Sequence, residues 1–177
     1  MNESEKIKLR APELSDLNQL FSWENDVELW HLSNTILPIS RFSIEQYILS
    51  EHEDFYTKKQ ARFMISLFNE KEIACLGAID LFDFDPKNRR AGIGILIEEK
   101  YRKKGYASQA LAQLIEHSFA TLNLHQLHCS ILVSNVESIE LFKRHKFSII
   151  GIRKEWILLN NEWQDEYLLQ LINQKLM

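Results

Sequence analysis

The residues of this chain best suited to chemistry lie between positions 92 and 107. Gly92-Ile93-Gly94-Ile95-Leu96-Ile97 reads as a strand. Glu98-Glu99-Lys100-Tyr101-Arg102-Lys103-Lys104-Gly105-Tyr106-Ala107 then leads through a short basic loop to the mouth of an amphipathic helix. The first turn of a helix carries backbone N–H groups without intrahelical partners and the positive end of the helix dipole. Gly105 lets the backbone wrap closely around a bound oxygen, and Arg102, Lys103 and Lys104 add positive charge at the rim. Together these features make a cradle for a diphosphate. An ordinary basic loop before a helix has the same composition, so the loop alone leaves both readings open. It is not a Walker loop, because no Gly-x4-Gly-Lys-Ser/Thr is present. Gly92-Ile93-Gly94 lies inside a strand and lacks the third glycine of a dinucleotide fingerprint. Two glycines within a strand predict a bulge, or backbone closely approached by a ligand.

Such a cradle needs a sheet to hold it. Residues 7–10 alternate apolar and charged and predict a short strand. Pro12 and Ser15 open a helix, with Ser15 as N-cap and Leu17, Leu20 and Phe21 on one face. Val27, Leu29 and Trp30 suggest a short helical or irregular piece, and residues 43–50 a helix built on Ile44, Tyr47 and Ile48. Strands at 62–68, 73–81 and 90–97 follow. Polar turns separate them at 69–72 and around Asp83, Asp85, Pro86 and Asn88. The helix over 107–122 has an apolar stripe through Ala107, Leu111, Leu114, Ile115, Phe119 and Leu122. A strand at 127–133, a helix at 136–145 opened by the capping box Ser134-Asn135-Val136-Glu137, and a hairpin of 149–158 with 163–172 around Asn160-Asn161 complete the chain. The pattern is that of a mixed α/β domain.

A chain of 177 residues fits one domain, residues 1–177, and buries a full core without disulfides or metal. The net charge of −4 argues against a nucleic-acid binder. The acid is concentrated early: residues 1–60 hold six Lys and Arg against eleven Asp and Glu, which suits a cationic partner or simply a solvated surface. No apolar run approaches the ~18 residues of a membrane span, so no membrane association is expected. The polar first residues lack the apolar stretch of a secretory signal. Cys75 and Cys129 have no metal or redox spacing and read as reduced core residues, which fits a cytoplasmic protein.

Arg102-Lys103-Lys104-Gly105-Tyr106-Ala107 resembles the Gln/Arg-x-x-Gly-x-Gly/Ala acetyl-CoA signature of the GNAT superfamily. Asn135-x-x-Ser138 with Leu141-Phe142-Lys143-x-x-Lys146-Phe147 resembles the family's Asn-x-x-Ser/Ala…Gly-Phe segment. Asn160-Asn161-Glu162-Trp163-x-Asp165 and the opening Ile7-Lys8-Leu9-Arg10-Ala11-Pro12…Asp16-Leu17 are similar to its ribosomal-protein and spermidine acetyltransferase branch. The resemblance runs through nearly the whole chain in the family's order. It implies a GNAT fold: a central, largely antiparallel, twisted seven-stranded sheet with splayed fourth and fifth strands, flanked by about four helices. It implies acetyl-CoA as co-substrate, no metal, and transfer of acetyl to a primary amine by direct attack. The diphosphate would rest on the amides of Arg102, Lys103, Lys104, Gly105, Tyr106 and Ala107. The pantetheine arm would pair with Ile95, Leu96 and Ile97 and be contacted by Asn135 and Ser138. Backbone N–H groups of the fourth strand would stabilise the oxyanion, and most of the rate would come from positioning. A homodimer or larger homo-oligomer is a common family state.

In many family members a tyrosine one helical turn before the Gly-Phe pair protonates the departing thiolate. Phe142 stands there and has no proton to give, and Lys146 replaces the glycine. Ser138, one turn earlier on the same face, is the candidate acid, with helix capping or pantetheine contact as its alternative role. An attacking amine must shed a proton, and Asp80, Asp83, Glu155 and His128 are the candidate bases. Asp83 also suits a turn, Glu155 a solvated ion pair, and His128 a strand-edge pair with His125. The acidic-aromatic cluster of Glu24, Asp26 and Glu28 with Trp23 and Trp30 suits a small cationic amine such as spermidine, as does a second cluster of Glu51, Glu53, Asp54 and Tyr56. Helix-terminal acids and core tryptophans would look the same. Two other functions remain open at this point: acetylation of a protein N-terminus, as of a ribosomal protein, and a non-catalytic CoA-binding regulatory domain, which Phe142 would suit.

Overall fold

The computed structural model describes residues 6–30, 35–50, 54–68 and 73–174. The expected turn at 69–72 and the acids Glu51 and Glu53 lie outside the described residues. Chain order is β1 (Ile7–Arg10), a 3-10 turn (Leu14–Asp16), α1 (Leu17–Glu24), α2 (Arg41–Leu49), α3 (Phe55–Lys58), β2 (Ala61–Phe68), β3 (Ile73–Asp85), β4 (Arg90–Ile97), a 3-10 turn (Glu99–Tyr101), α4 (Tyr106–Ala120), β5 (Gln126–Leu132), α5 (Val136–Arg144), β6 (Ser148–Leu159) and β7 (Glu162–Ile172).

Seven strands form one sheet in the order β1-β2-β3-β4-β5-β7-β6. Every neighbouring pair is antiparallel except β4 and β5, which run parallel, so the sheet is mixed. That parallel pair holds together only over Arg90↔Gln126, Ala91↔Leu127 and Gly92↔His128. Beyond Gly92 the two strands part, and the sheet opens into a V.

Alternation along β2 assigns its residues to the two faces. Met64 and Ala78 pack with Leu20, Trp23, Ile44 and Ile48 of α1 and α2. Ile65, Ile79, Leu81 and Ile93 pack on the other face with Ala110, Leu111 and Leu114 of α4. Leu111 and Leu114 are fully buried, and each such side chain stabilises the fold by about 1.5–3 kcal/mol. The first face is fixed to the sheet by charge as well. Arg62 of β2 makes a bidentate bond to Asp80 of β3, Nε and Nη2 at 2.9 Å each, and its Nη1 donates to Glu24 at the end of α1.

Several boundaries differ from expectation for local reasons. Ser15 does not cap α1; it lies in the 3-10 turn. There Asp16 accepts from Glu13 N at 2.8 Å and from the Arg10 guanidinium at 2.6 and 2.7 Å. α2 starts earlier, at Arg41, because the Ser40 hydroxyl accepts from Ser43 N at 3.0 Å. The short α3 was not anticipated; its signal is Asp54, whose Oδ1 accepts from Tyr56 N and Thr57 N. β3 runs on through Asp83, which sits at φ 49° where the register slips between Phe82 and Asp85. The bulge expected from Gly92 and Gly94 thus lies in the facing strand. Gly92 serves packing instead: a Cβ there would sit 2.4 Å from the Phe82 ring. Asn160 and Asn161, at φ 51° and 63°, form the expected tight hairpin turn.

The end of α5 explains Lys146. Phe147 N donates to Phe142 O at 3.1 Å and Lys146 N to Lys143 O at 2.9 Å, while the Phe142 and Phe147 rings meet edge to face at 5.0 Å. This is a complete Schellman stop, with Lys146 as the left-handed residue at φ 68°. Lys146→Gly is expected to raise stability by about 0.5–1 kcal/mol, since glycine holds that conformation without strain. Urea unfolding reads this directly; a loss of stability would show that the lysine side chain outweighs the backbone.

Candidate active site

The V between β4 and β5 is the mouth of a cleft of about 1460 Å³. Both strands end at its open side: β4 runs into the loop before α4, and β5 into the start of α5. Five residues of β4, 93 to 97, separate the apex of the V from that loop, roughly 16 Å at a rise of ~3.3 Å per residue. From Ile93 onward β4 has no strand partner on its β5 side, so that edge can accept an extended ligand as a further strand.

The shape of the loop before α4 has local physical causes. The Glu99–Tyr101 turn closes with Arg102 N on Glu99 O at 3.1 Å, and the Arg102 Nε donates to Ile97 O at 3.0 Å, fastening the loop to the strand. Lys103 (φ 62°) and Gly105 (φ 84°) then turn the chain left-handed twice. Gly105 is the N-cap of α4, and no side chain caps the helix end. The intrahelical ladder begins with Gln109 N on Gly105 O at 3.2 Å, so the first-turn amides precede it and face outward. A Cβ at Gly105 would meet no protein atom within 4 Å. Lys103 reaches across the opening to Glu137 in the first turn of α5, at 3.4 Å.

On the opposite lip, Asn135 Oδ1 accepts from Ser138 N at 3.1 Å and caps α5. Ser138, Leu141 and Phe142 of that helix line the cleft. Phe142 is buried against Phe147. Cys129 also lines the cleft, and burial pushes its thiol far above the ordinary value, so it is no nucleophile.

His128 and Asp83 stand at the apex. His128 pairs with Gly92 at the last rung before the strands part, and its ring meets Phe82 edge to face at 6.3 Å. Burial pushes its imidazole below 6.5; Asp83 opposes that, while Arg90 and Arg153 reinforce it. This favours the neutral imidazole, the form that can accept a proton. Two of the nearby cations are already engaged. Arg90 pairs with Asp85 at 3.2 Å, and Arg153 with Glu166 at 3.0 Å while lying over the Trp156 ring at 4.8 Å. Asp83, and Glu28 on the cleft's other wall, form no ion pair among the described residues.

The structure thus gathers Ile95, Leu96, Ile97, Arg102, Lys103, Gly105, Tyr106, Ala107, Asn135, Ser138 and Asp83 around one cleft. Lys104 is not on its wall; its ammonium lies over the Tyr101 ring at 5.7 Å. Glu155 is not there either. It sits at φ 49° in an exposed bulge of β6, its N–H donating to Asp165 at 2.9 Å. Glu24, Asp26 and Trp30 also lie off the wall: Glu24 is held by Arg62, Asp26 accepts from Glu28 N, and Trp30 Nε1 donates to Glu24 O. From that cluster it is Glu28, with Leu29, that lines the cleft. Sequence reasoning missed the wall formed by Gln126, Arg153, Trp156, Glu166 and Gln170; they come from three separate strands, β5, β6 and β7, and no local pattern singles them out. No cluster of three or more metal-ligating side chains occurs among the described residues, and no helix there is long and apolar enough to cross a membrane.

Comparison with known proteins agrees with this geometry. The family described as "Acetyltransferase (GNAT) domain" matches residues 6–148. An uncharacterized N-acetyltransferase, p20, of Bacillus licheniformis is 27% identical over 173 residues, spanning 97% of this chain and 96% of that protein. Spermidine N(1)-acetyltransferase of Escherichia coli K12 is 24% identical over 172 residues, 93% of this chain and 85% of that one. The crystal structure of spermidine N-acetyltransferase from Vibrio cholerae in complex with CoA and spermine shares the fold, with a TM-score of 0.84 at 23% identity over 96% of this chain and 97% of the other.

Proposed function

Because this chain belongs to the GNAT acetyltransferase family, we propose that it transfers acetyl from acetyl-CoA to a primary amine of a small cationic acceptor, a polyamine such as spermidine. The observation that carries the acceptor class is the charge lining the cleft: Arg90 is paired with Asp85 and Arg153 with Glu166, while Asp83 and Glu28 form no ion pair among the described residues and can attract ammonium groups. The spermidine acetyltransferases among its relatives support the same acceptor.

The cleft fits the co-substrate. The left-handed turn at Gly105 and the uncapped start of α4 suit a diphosphate, and the unpartnered edge of β4 at Ile95, Leu96 and Ile97 suits an amide-bearing arm. Acetyl-CoA supplies an acetyl thioester, whose carbonyl carbon the amine attacks with release of the CoA thiol. Backbone N–H groups of β4 stabilise the developing oxyanion. His128 accepts the proton of the attacking ammonium, and Asp83 stabilises the resulting imidazolium. As the C–S bond breaks, the Ser138 hydroxyl gives a proton to the departing sulfur in place of the missing tyrosine and regains one from the acylated nitrogen, which must shed its second proton to become an amide.

An acceptor panel with acetyl-CoA, read by thiol release, tests the reading. Turnover with spermidine is expected. Turnover of a peptide N-terminus but of no polyamine would move the acceptor to proteins, and thiol release with none would leave only CoA binding. The base has its own signature. A group with a lowered pKa acts as a base above that pKa and loses the role as pH falls through it. The pH profile of kcat/KM is therefore expected to have an acidic limb centred below 6.5, and His128→Asn to abolish it with a fall of about 10²-fold. An unchanged limb would return the role to Asp83 or water. The exposed Ile150, Ile152, Trp156 and Leu158 on edge strand β6 also suit association with a second copy; sedimentation at the mass of one chain would reject it.

A further inference from the structure

Besides the Lys103–Glu137 pair, a further side-chain contact joins the two lips of the cleft and has no part in the chemistry above. Ser108 Oγ and His145 Nε2 lie 2.7 Å apart, both half-buried. Ser108 is the third residue of α4 and lines the cleft beside the cradle. His145 is the C-cap of α5, the helix that carries Ser138 and Phe142. The pair therefore ties the helix end that faces the diphosphate to the helix that flanks the reacting sulfur.

We propose that His145 is a positioning residue for the diphosphate of the acyl carrier, coupling proton uptake to binding through the Ser108 hydroxyl. The argument is one of donors and acceptors. In the neutral tautomer that presents Nε2 as a lone pair, the imidazole accepts a hydrogen bond from the Ser108 hydroxyl, which then turns only lone pairs to the cradle and repels an anion. A protonated imidazole donates from Nε2 instead. Ser108 Oγ accepts that bond, and its own proton is released to point at a phosphate oxygen. Anion binding and protonation thus favour one another, as linkage requires.

The surroundings hold the free protein on the neutral side. Burial lowers the His145 imidazole below its usual value, and the adjacent Arg144 adds to that. The other charges at this end of the cleft are internally compensated or engaged: Lys103 pairs with Glu137, Glu140 with Lys143, and Arg102 Nε donates to Ile97 O. Lys104 lies over Tyr101, and Ser108 is the group that faces the imidazole from α4. A diphosphate on α4 is the new charge that shifts the balance.

The inference rests on the acyl-carrier reading, and the test separates the two. Calorimetry with 3′-dephospho-CoA is run at about pH 6 and about pH 8, in two buffers of different ionisation enthalpy; this probe lacks the phosphomonoester, whose own second pKa near ~6 would confuse the result. Affinity is expected to tighten about fivefold or more toward the lower pH, with net proton uptake. His145→Gln, whose amide can donate to Ser108 at every pH, is expected to lose the pH dependence while binding at about pH 8 as tightly as the wild type at about pH 6. Ser108→Ala should lose the pH dependence without that gain. Wild-type affinity changing less than about twofold, or His145→Gln keeping the wild-type slope, overturns the inference while CoA binding stands. Absence of binding by CoA itself overturns the acyl-carrier reading and this one with it.

Discussion

Gly105→Val is expected to weaken CoA binding by about 100-fold or more, a loss of roughly 2.7 kcal/mol. Gly105 holds φ 84° and ψ −1° as the N-cap of α4. A β-branched residue is an outlier there and costs about 1–3 kcal/mol of backbone strain. A Cβ there meets no protein atom within 4 Å, so the strain is expected to be relieved by turning the peptide units around positions 103–106, whose amides form the proposed cradle. The glycine's effect is thus on the direction of N–H groups, and the core beneath, Ala110 and Leu111, is left in place. Gly105→Ala, with less strain, should lose about 5–10-fold. Calorimetric titration with CoA measures both, and an unfolding curve for each variant separates binding from stability. A valine variant that binds within about threefold of the wild type would remove the cradle from the argument, because 100-fold is what loss of the aligned amides requires.

Arg62→Leu is expected to destabilise the fold by about 3 kcal/mol and to lower Tm by about 6–12 °C. The guanidinium bridges three elements, with Asp80 of β3 on one side and Glu24 of α1 on the other, and it lies over the Tyr47 ring of α2 at 5.9 Å. Burial works against its charge, and the two carboxylates outweigh it, holding its pKa above the usual value. Removing it leaves two carboxylates facing each other at the edge of an apolar layer. The side chain keeps 24% of its exposure, so water screens part of that repulsion and the low end of the range for a broken buried pair applies. Arg62→Lys should recover part of the loss, since a point charge replaces a two-pronged donor. Scanning calorimetry decides the matter. A Tm within about 2 °C of the wild type would show that α1 is held by Leu20 and Trp23 alone.

The positions of α4 and β4, and the cradle between them, were legible in the residues from 92 to 107, because a strand, a basic turn, a left-handed glycine and an amphipathic helix are all local patterns. The hairpin turn at Asn160-Asn161 was legible for the same reason. Glycine in a strand was legible as a feature but not as a cause: Gly92 makes room for Phe82, a residue ten positions away on the facing strand. The substitution of Lys146 for glycine looked like a departure from the family pattern. The backbone shows a left-handed stop at that position, which a glycine would also suit, made here at a cost in strain.

What the linear order of residues determined by itself is therefore the left-handed glycine turn before α4 and most of the strands and helices around it, since each depends on neighbours within a few positions. Which carboxylates are available to a substrate was decided only in three dimensions. Glu24 and Glu28 are four residues apart and chemically alike, yet Arg62 of another strand claims the first and leaves the second on the cleft wall. The same holds for His128, which pairing with Gly92 sets at the last rung before β4 and β5 part, and for Ser108 and His145, which are 37 positions apart. Charge pairing and strand divergence act through space between distant segments, and no local pattern records them.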